Sequence, residues 1–120
     1  MENEQTANNI KMSGRDGKRS WIYIPEYEKV MYIIYNYSKY ENKITRGFVA
    51  KKLGRIHSNM NFIFNVMVNI GLLTQQKVGR EKILTMTELG QRLGETITNK
   101  LMLLGYNETN LDDDIHARQS

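Results

Sequence analysis

Four glycines, Gly54, Gly71, Gly79 and Gly105, divide the second half of this chain into short segments of different hydrophobic period. Glycine takes the left-handed backbone without a Cβ penalty, so it ends helices and turns hairpins. Before Gly54, Thr45 is an N-cap candidate for a short helix through Phe48, Val49 and Leu53. Arg55-Ile56-His57-Ser58 is a turn short enough to hold two helices at a steep angle. A third helix is predicted over 58–70, stopped by Gly71. Leu72 to Gln76 and Lys82 to Met86 read as strands around Lys77-Val78-Gly79-Arg80-Glu81, a hairpin loop. Thr87 caps a last helix over 88–104 carrying Leu89, Leu93, Ile97, Leu101 and Leu104, which Gly105 ends.

Upstream, Trp21 to Ile24 is a short β-prone run, read as a brief strand or an anchored extended segment. Pro25 suits a helix start. From Glu26 to Tyr40, Tyr27, Val30, Met31, Ile34 and Tyr37 recur at helical spacing, with Glu28, Lys29, Asn36 and Lys39 elsewhere on the wheel. Glu41, Asn42 and Lys43 form a polar break. Residues 1–20 lack apolar periodicity and read as a flexible arm, 21–105 as one domain, and 106–120 as a polar, acidic tail. The fold class that follows is mainly α, about four helices with a small β-hairpin.

The 120 residues contain no cysteine and two distant histidines, His57 and His116, so neither thiol chemistry nor a zinc cluster has ligands to draw on. No catalytic constellation, metal site or cofactor motif emerges, and an enzyme is not expected. No segment has the apolar length to span a bilayer, and Met1 to Asn9 is unlike a secretory leader, so a cytoplasmic protein is the expectation.

Net charge is +4, and its placement is uneven. Lys43, Arg46, Lys51, Lys52, Arg55, Lys77, Arg80, Lys82 and Arg92 stand against Glu81 and Glu88, a local charge of +7 that leaves −3 for the rest. No carboxylate lies between Arg46 and Arg80. A basic middle with acidic ends points to a polyanion-binding surface, against the alternative of a merely solvated basic face.

On a wheel at about 100° per residue, the third helix puts Ser58, Asn61, Phe62, Asn65 and Asn69 on one side. Met60, Ile63, Phe64, Met67 and Ile70 take the other. Asparagine and serine both donate and accept hydrogen bonds, and asparagine matches adenine N6 and N7 in the major groove. Such a stripe can also be a plain solvated face. With bases before and after it, the nucleic-acid reading is preferred. Phosphate contacts are then expected from Arg46, Lys51, Lys52 and Arg55 around the turn and from Lys77 and Lys82 on the hairpin, with Arg80 at its tip reaching an adjacent minor groove.

The order helix, helix, turn, helix, hairpin, helix is that of a winged helix-turn-helix. The run Phe48-Val49-Ala50-Lys51-Lys52-Leu53-Gly54, the helix end Ile70-Gly71-Leu72-Leu73 and the post-hairpin Leu84-Thr85-Met86-Thr87-Glu88-Leu89-Gly90 resemble winged-helix regulators of the MarR/PadR broad type, particularly small archaeal ones. The resemblance covers about residues 26–104. It implies base contacts by His57, Ser58, Asn61, Phe62 and Asn65 of helix 58–70 in the major groove. The 77–82 wing, with Arg80 at its tip, would lie on the adjacent minor groove or backbone. Sequence-selective binding of double-stranded DNA by a transcriptional regulator is therefore expected. Alternatives are a plasmid or viral partition protein that spreads along DNA, and a winged-helix protein-interaction module. A homodimer is expected through helix 88–104, where Gly90 and Gly94 permit close approach, or through the tyrosine-rich helix 26–40.

Overall fold

The computed structural model describes residues 20–55 and 60–107. The elements are a 3₁₀ turn at Trp21–Tyr23, α1 (Glu26–Tyr37), β1 (Ile44–Thr45), α2 (Arg46–Lys52), α3 (Asn61–Asn69), β2 (Leu73–Val78), β3 (Glu81–Met86) and α4 (Glu88–Leu103). The three strands form an antiparallel sheet in the order β1-β3-β2. α2 and α3, followed at once by the β2–β3 hairpin, make this a winged helix-turn-helix, mainly helical with a small sheet.

Local chemistry accounts for most of the boundaries. The Thr45 hydroxyl accepts from the Phe48 amide at 3.0 Å and the Thr87 hydroxyl from the Gly90 amide at 3.0 Å, so both predicted caps are made. Gly54, Gly71, Gly79 and Gly105 all have positive φ, between 63° and 93°. At Gly71 and Gly105 the reversal lets the following amide close back on the helix, Leu72 onto the Met67 carbonyl and Tyr106 onto the Leu101 carbonyl, both at 2.9 Å.

The first apolar run forms a 3₁₀ turn rather than a strand. Ser20 caps it by accepting from the Ile22 amide, which bends the chain so that Trp21 enters the core. There Trp21 lies 4.9 Å from the Tyr32 ring and 5.4 Å from Tyr106, and its indole N–H donates to the Asn107 carbonyl at 2.9 Å. Tyr106, read as the start of the tail, is thus packed against the domain. The break before α2 holds a third strand. Ile44 pairs with Leu84 and is buried, which ties the start of α2 to the sheet.

α1 is the central element, and residues 28–34 are buried without interruption. That run includes Glu28 and Lys29, which the wheel placed outside. α4 covers α1, and Lys100 donates to both Glu28 oxygens at 2.6 and 2.7 Å, while Lys29 lies 3.6 Å from Glu26. Tyr32, Tyr35 and Tyr37 are spent inside the domain, on Trp21, Gly94 and Phe48 respectively.

α4 buries only the middle of the predicted stripe, with Leu89 and Leu104 exposed at its ends. Its buried residues are Gly90, Gly94, Ile97, Thr98 and Leu101. The two glycines therefore serve close approach within the chain, Gly90 to the Leu72 carbonyl and Gly94 to Tyr35. No helix of the described residues is long and apolar enough to cross a membrane.

Candidate nucleic-acid interface

α3 is set by its apolar side. Met60, Phe64 and Met67 are buried, whereas Asn61, Phe62, Asn65 and Asn69 are exposed, Phe62 at 79%. Phe62 therefore faces outward beside the asparagines. Ile70, assigned to the core side, is exposed because α3 ends at Asn69 and the chain turns at Gly71. His57 and Ser58 lie outside the described residues.

The hairpin extends the same surface. Directly opposed residues of an antiparallel pair share a face of the sheet. The register pairs Leu73 with Met86, Gln75 with Leu84 and Lys77 with Lys82. The core face of the sheet (Leu73, Leu84, Met86) therefore continues outward as Gln75, then Lys77 and Lys82. Beyond Leu73 every β2 residue is exposed, so the wing projects from the domain with Gly79 and Arg80 at its tip.

Arg46 departs most from its predicted place. It lies in the first turn of α2 as expected, but its residue exposure is 2% and its guanidinium turns inward. There it donates through Nη1 to Asn61 Oδ1 at 3.1 Å and through Nη2 to Asn65 Oδ1 at 2.8 Å. Nε and Nη2 reach Gln75 Oε1 at 3.1 and 2.7 Å, and the guanidinium carbon lies 5.2 Å from the Phe64 ring centroid. No carboxylate among the described residues pairs with it. Burial lowers its pKa below the usual arginine value, though arginine stays charged at neutral pH. One buried cation thus joins α2, α3 and β2 through neutral amides, and a free phosphate contact from this side chain is not what the geometry provides.

The remaining bases divide into engaged and free. Arg55 is held by Glu26 in a two-pronged pair at 3.1 and 3.2 Å. Lys52 lies over the Tyr37 ring at 4.6 Å, Lys43 pairs with Glu81 at 2.8 Å, and Arg92 pairs with Glu88 at 2.7 Å. Lys51, Lys77, Arg80 and Lys82 are exposed and have no carboxylate partner among the described residues. The basic middle of the sequence is therefore partly neutralised by its own acids, and the free charge concentrates on the wing. Lys77 opposite Lys82 is a like-charge pair, unfavourable in an isolated hairpin and favourable beside an anion.

Gln75 is the residue that reading the sequence missed. Its signal was a polar side chain at the strand position two beyond Leu73, on the core-facing register.

No family model matches the chain, and no curated protein matches it by sequence. Solved structures do. AF1382 from Archaeoglobus fulgidus superposes with a TM-score of 0.65 at 19% identity, over 72% of this chain and 98% of that one. MepR, a transcription regulator of the Staphylococcus aureus multidrug efflux pump MepA, superposes with a TM-score of 0.55 at 16% identity, over 80% of this chain and 75% of that one. Both likenesses are of fold.

Proposed function

We propose that this chain is a sequence-selective double-stranded DNA-binding protein, a transcriptional regulator acting in the cytoplasm. In this reading α3 enters the major groove, and the 77–82 wing lies on the adjacent minor groove or backbone. The observation that carries it is the arrangement of free charge. Lys77 and Lys82 continue the sheet face that Gln75 joins to Asn61 and Asn65, with Arg80 at the tip beyond. That surface combines neutral hydrogen-bonding groups with flanking cations, the division of labour between base and phosphate contacts. The same fold in MepR, described as a transcription regulator, supports the reading.

Affinity in this scheme rests on Lys51, Lys77, Arg80 and Lys82, while His57, Ser58, Asn61, Phe62 and Asn65 face the bases. Arg55 and Lys52 contribute once they leave Glu26 and Tyr37. Pairing of two chains on two half-sites favours α4 over α1, because Leu89, Met102, Leu103 and Leu104 are exposed, whereas most of α1 is buried.

The test is a salt titration on duplex DNA. Four phosphate contacts per chain predict a slope of log affinity on log salt of about −3 to −4. A slope near zero would sink the reading. Footprint length against protein concentration separates a fixed operator from a spreading partition protein.

A further inference from the structure

Asparagine on a groove-facing helix normally suits adenine, because its amide offers one acceptor and one donor to N6 and N7. Here the amides are not free to offer both. A guanidinium has no hydrogen-bond acceptor, so whichever amide atom it touches must be the oxygen. Arg46 touches Asn61 at 3.1 Å, Asn65 at 2.8 Å and Gln75 at 2.7 and 3.1 Å. All three oxygens point inward at the buried cation. The Nδ2 groups of Asn61 and Asn65, on residues that are themselves exposed, are the amide corners turned away from it.

The orientation is held firmly. Arg46 is 2% exposed and has no carboxylate partner among the described residues, so these amide oxygens are what solvate its charge. Flipping either asparagine would aim a donor at a donor and strip a buried cation of a ligand, which costs far more than an ordinary rotamer change. Accepting from a cation also polarises each amide and strengthens its outward N–H groups as donors.

We infer that Arg46, through Asn61 and Asn65, turns the outer face of α3 into a row of donors that selects guanine over adenine. Guanine presents two acceptors, O6 and N7, in the major groove, whereas adenine sets its N6 donor beside N7 and cytosine presents a donor. The two asparagines stand one turn apart, about 6 Å along the helix. They therefore address neighbouring base steps with the same polarity. Arg46 is a positioning residue, since it reaches the base only through the amides. The inference rests on the DNA-binding reading above and refines which base edge that surface takes.

The experiment begins by selecting duplexes from a randomised pool with the full chain and measuring affinity for the selected site and its variants. Guanine is expected at positions under α3. Replacement by adenine should weaken binding roughly tenfold, 7-deazaguanine (which lacks N7) should weaken it similarly, and inosine, which keeps O6 and N7, should not. Asn65→Asp is the decisive variant. It is isosteric and keeps the bond to Arg46 as an ion pair, so its melting temperature should equal or exceed that of the wild type. It replaces the outward donor with an acceptor, so the preference for guanine over adenine should be lost. Arg46→Lys, which cannot hold three amides in one plane, should relax the same ratio. If the wild type selects adenine at these positions, or if Asn65→Asp weakens guanine and adenine sites equally, the donor polarity is refuted while DNA binding stands. If no duplex is bound in a salt-dependent way, both readings fall together.

Discussion

Three glycines inside helices make an internally controlled test of the packing, because the space around each differs. A Cβ built on Gly90 falls 2.1 Å from the Leu72 carbonyl oxygen and 3.1 Å from its carbon. Ordinary carbon–oxygen contact is about 3.3–3.6 Å, so the carbonyl must retreat by more than about 1 Å. It is poorly placed to do so. That oxygen accepts from the Thr87 amide at 3.1 Å and lies 3.3 Å from the Thr87 hydroxyl, and the Leu72 amide is bonded to the Met67 carbonyl at 2.9 Å. Leu73, the next residue, is paired with Met86. Gly90→Ala therefore overpacks the joint between α3, the wing and α4, at about 1–3 kcal/mol, and disturbs a hydrogen bond worth about 1 kcal/mol. The helix propensity of alanine returns about 1 kcal/mol. A net loss of about 2 kcal/mol corresponds to a drop in melting temperature of roughly 8–16 °C for a domain of this size.

Gly94 faces the Tyr35 Cβ at 2.8 Å, an atom carried by the α1 backbone, so Gly94→Ala must push α1 and α4 apart. Overpacking of about 1–3 kcal/mol, less the roughly 1 kcal/mol helix propensity of alanine, leaves a net cost of about 1 kcal/mol. Gly47 in α2 has nothing nearer than the Thr45 hydroxyl at 3.9 Å, so Gly47→Ala should stabilise by about 0.5–1 kcal/mol. Thermal melts followed by circular dichroism and by the fluorescence of Trp21, the single tryptophan, read all three. Should Gly90→Ala melt at or above the wild type, the close approach of α4 to Leu72 would be wrong, and with it the placement of the wing against the last helix. An order other than Gly47, Gly94, Gly90 from most to least stable would count against the packing as a whole.

Relieving the opposed lysines should act on stability and binding with opposite signs. Lys77→Ala or Lys82→Ala should raise the stability of the free protein by a few tenths of a kcal/mol, and should lower DNA affinity while reducing the salt slope by about 1 each. A loss of stability with unchanged binding would refute that assignment. Glu26→Gln releases Arg55, so a titration on duplex DNA should show tighter binding and a slope steeper by about 1. It also removes the carboxylate beside buried Lys29, so a melt should show a loss of about 1–3 kcal/mol. Trp21→Ala removes a fully buried ring that packs at an angle against Tyr32 and edge-on against Tyr106, and should cost about 3–5 kcal/mol by denaturant unfolding; a loss below about 1 kcal/mol would mean the 3₁₀ turn is not docked.

What could be read from the residues divides along a physical line. Features that depend on one residue and its immediate neighbours were legible. The positive φ values at Gly54, Gly71, Gly79 and Gly105, the caps at Thr45 and Thr87, and the outward side of α3 all follow from backbone chemistry and a helical period. Features that depend on what a neighbouring element leaves room for were not. The sequence pattern of α4 favours its leucines, yet the face that packs combines Ile97 and Leu101 with Gly90 and Gly94, and leaves Leu89 exposed. Leu72 and Tyr35 come too close there for any side chain to intervene. Glu28 and Lys29 have the composition of a solvated face and are buried because α1 lies at the centre, with Lys100 supplied from α4. Ile44 has no strand period of its own and becomes β1 only because Leu84 stands opposite.

Arg46 shows why charge by residue type is the weakest inference of all. Counted in the sequence it is one more base on a basic surface. In the fold its charge is surrounded by three amides drawn from two elements distant in sequence, and what reaches the surface is the polarity it imposes on them. A clue was present, since Gln75 occupies a strand position on the same register as Leu73, where an apolar residue would be expected. Pairing an out-of-place polar strand residue with a helix-start arginine would have found the cluster. It would also have moved the source of selectivity from the asparagines alone to the cation that orients them.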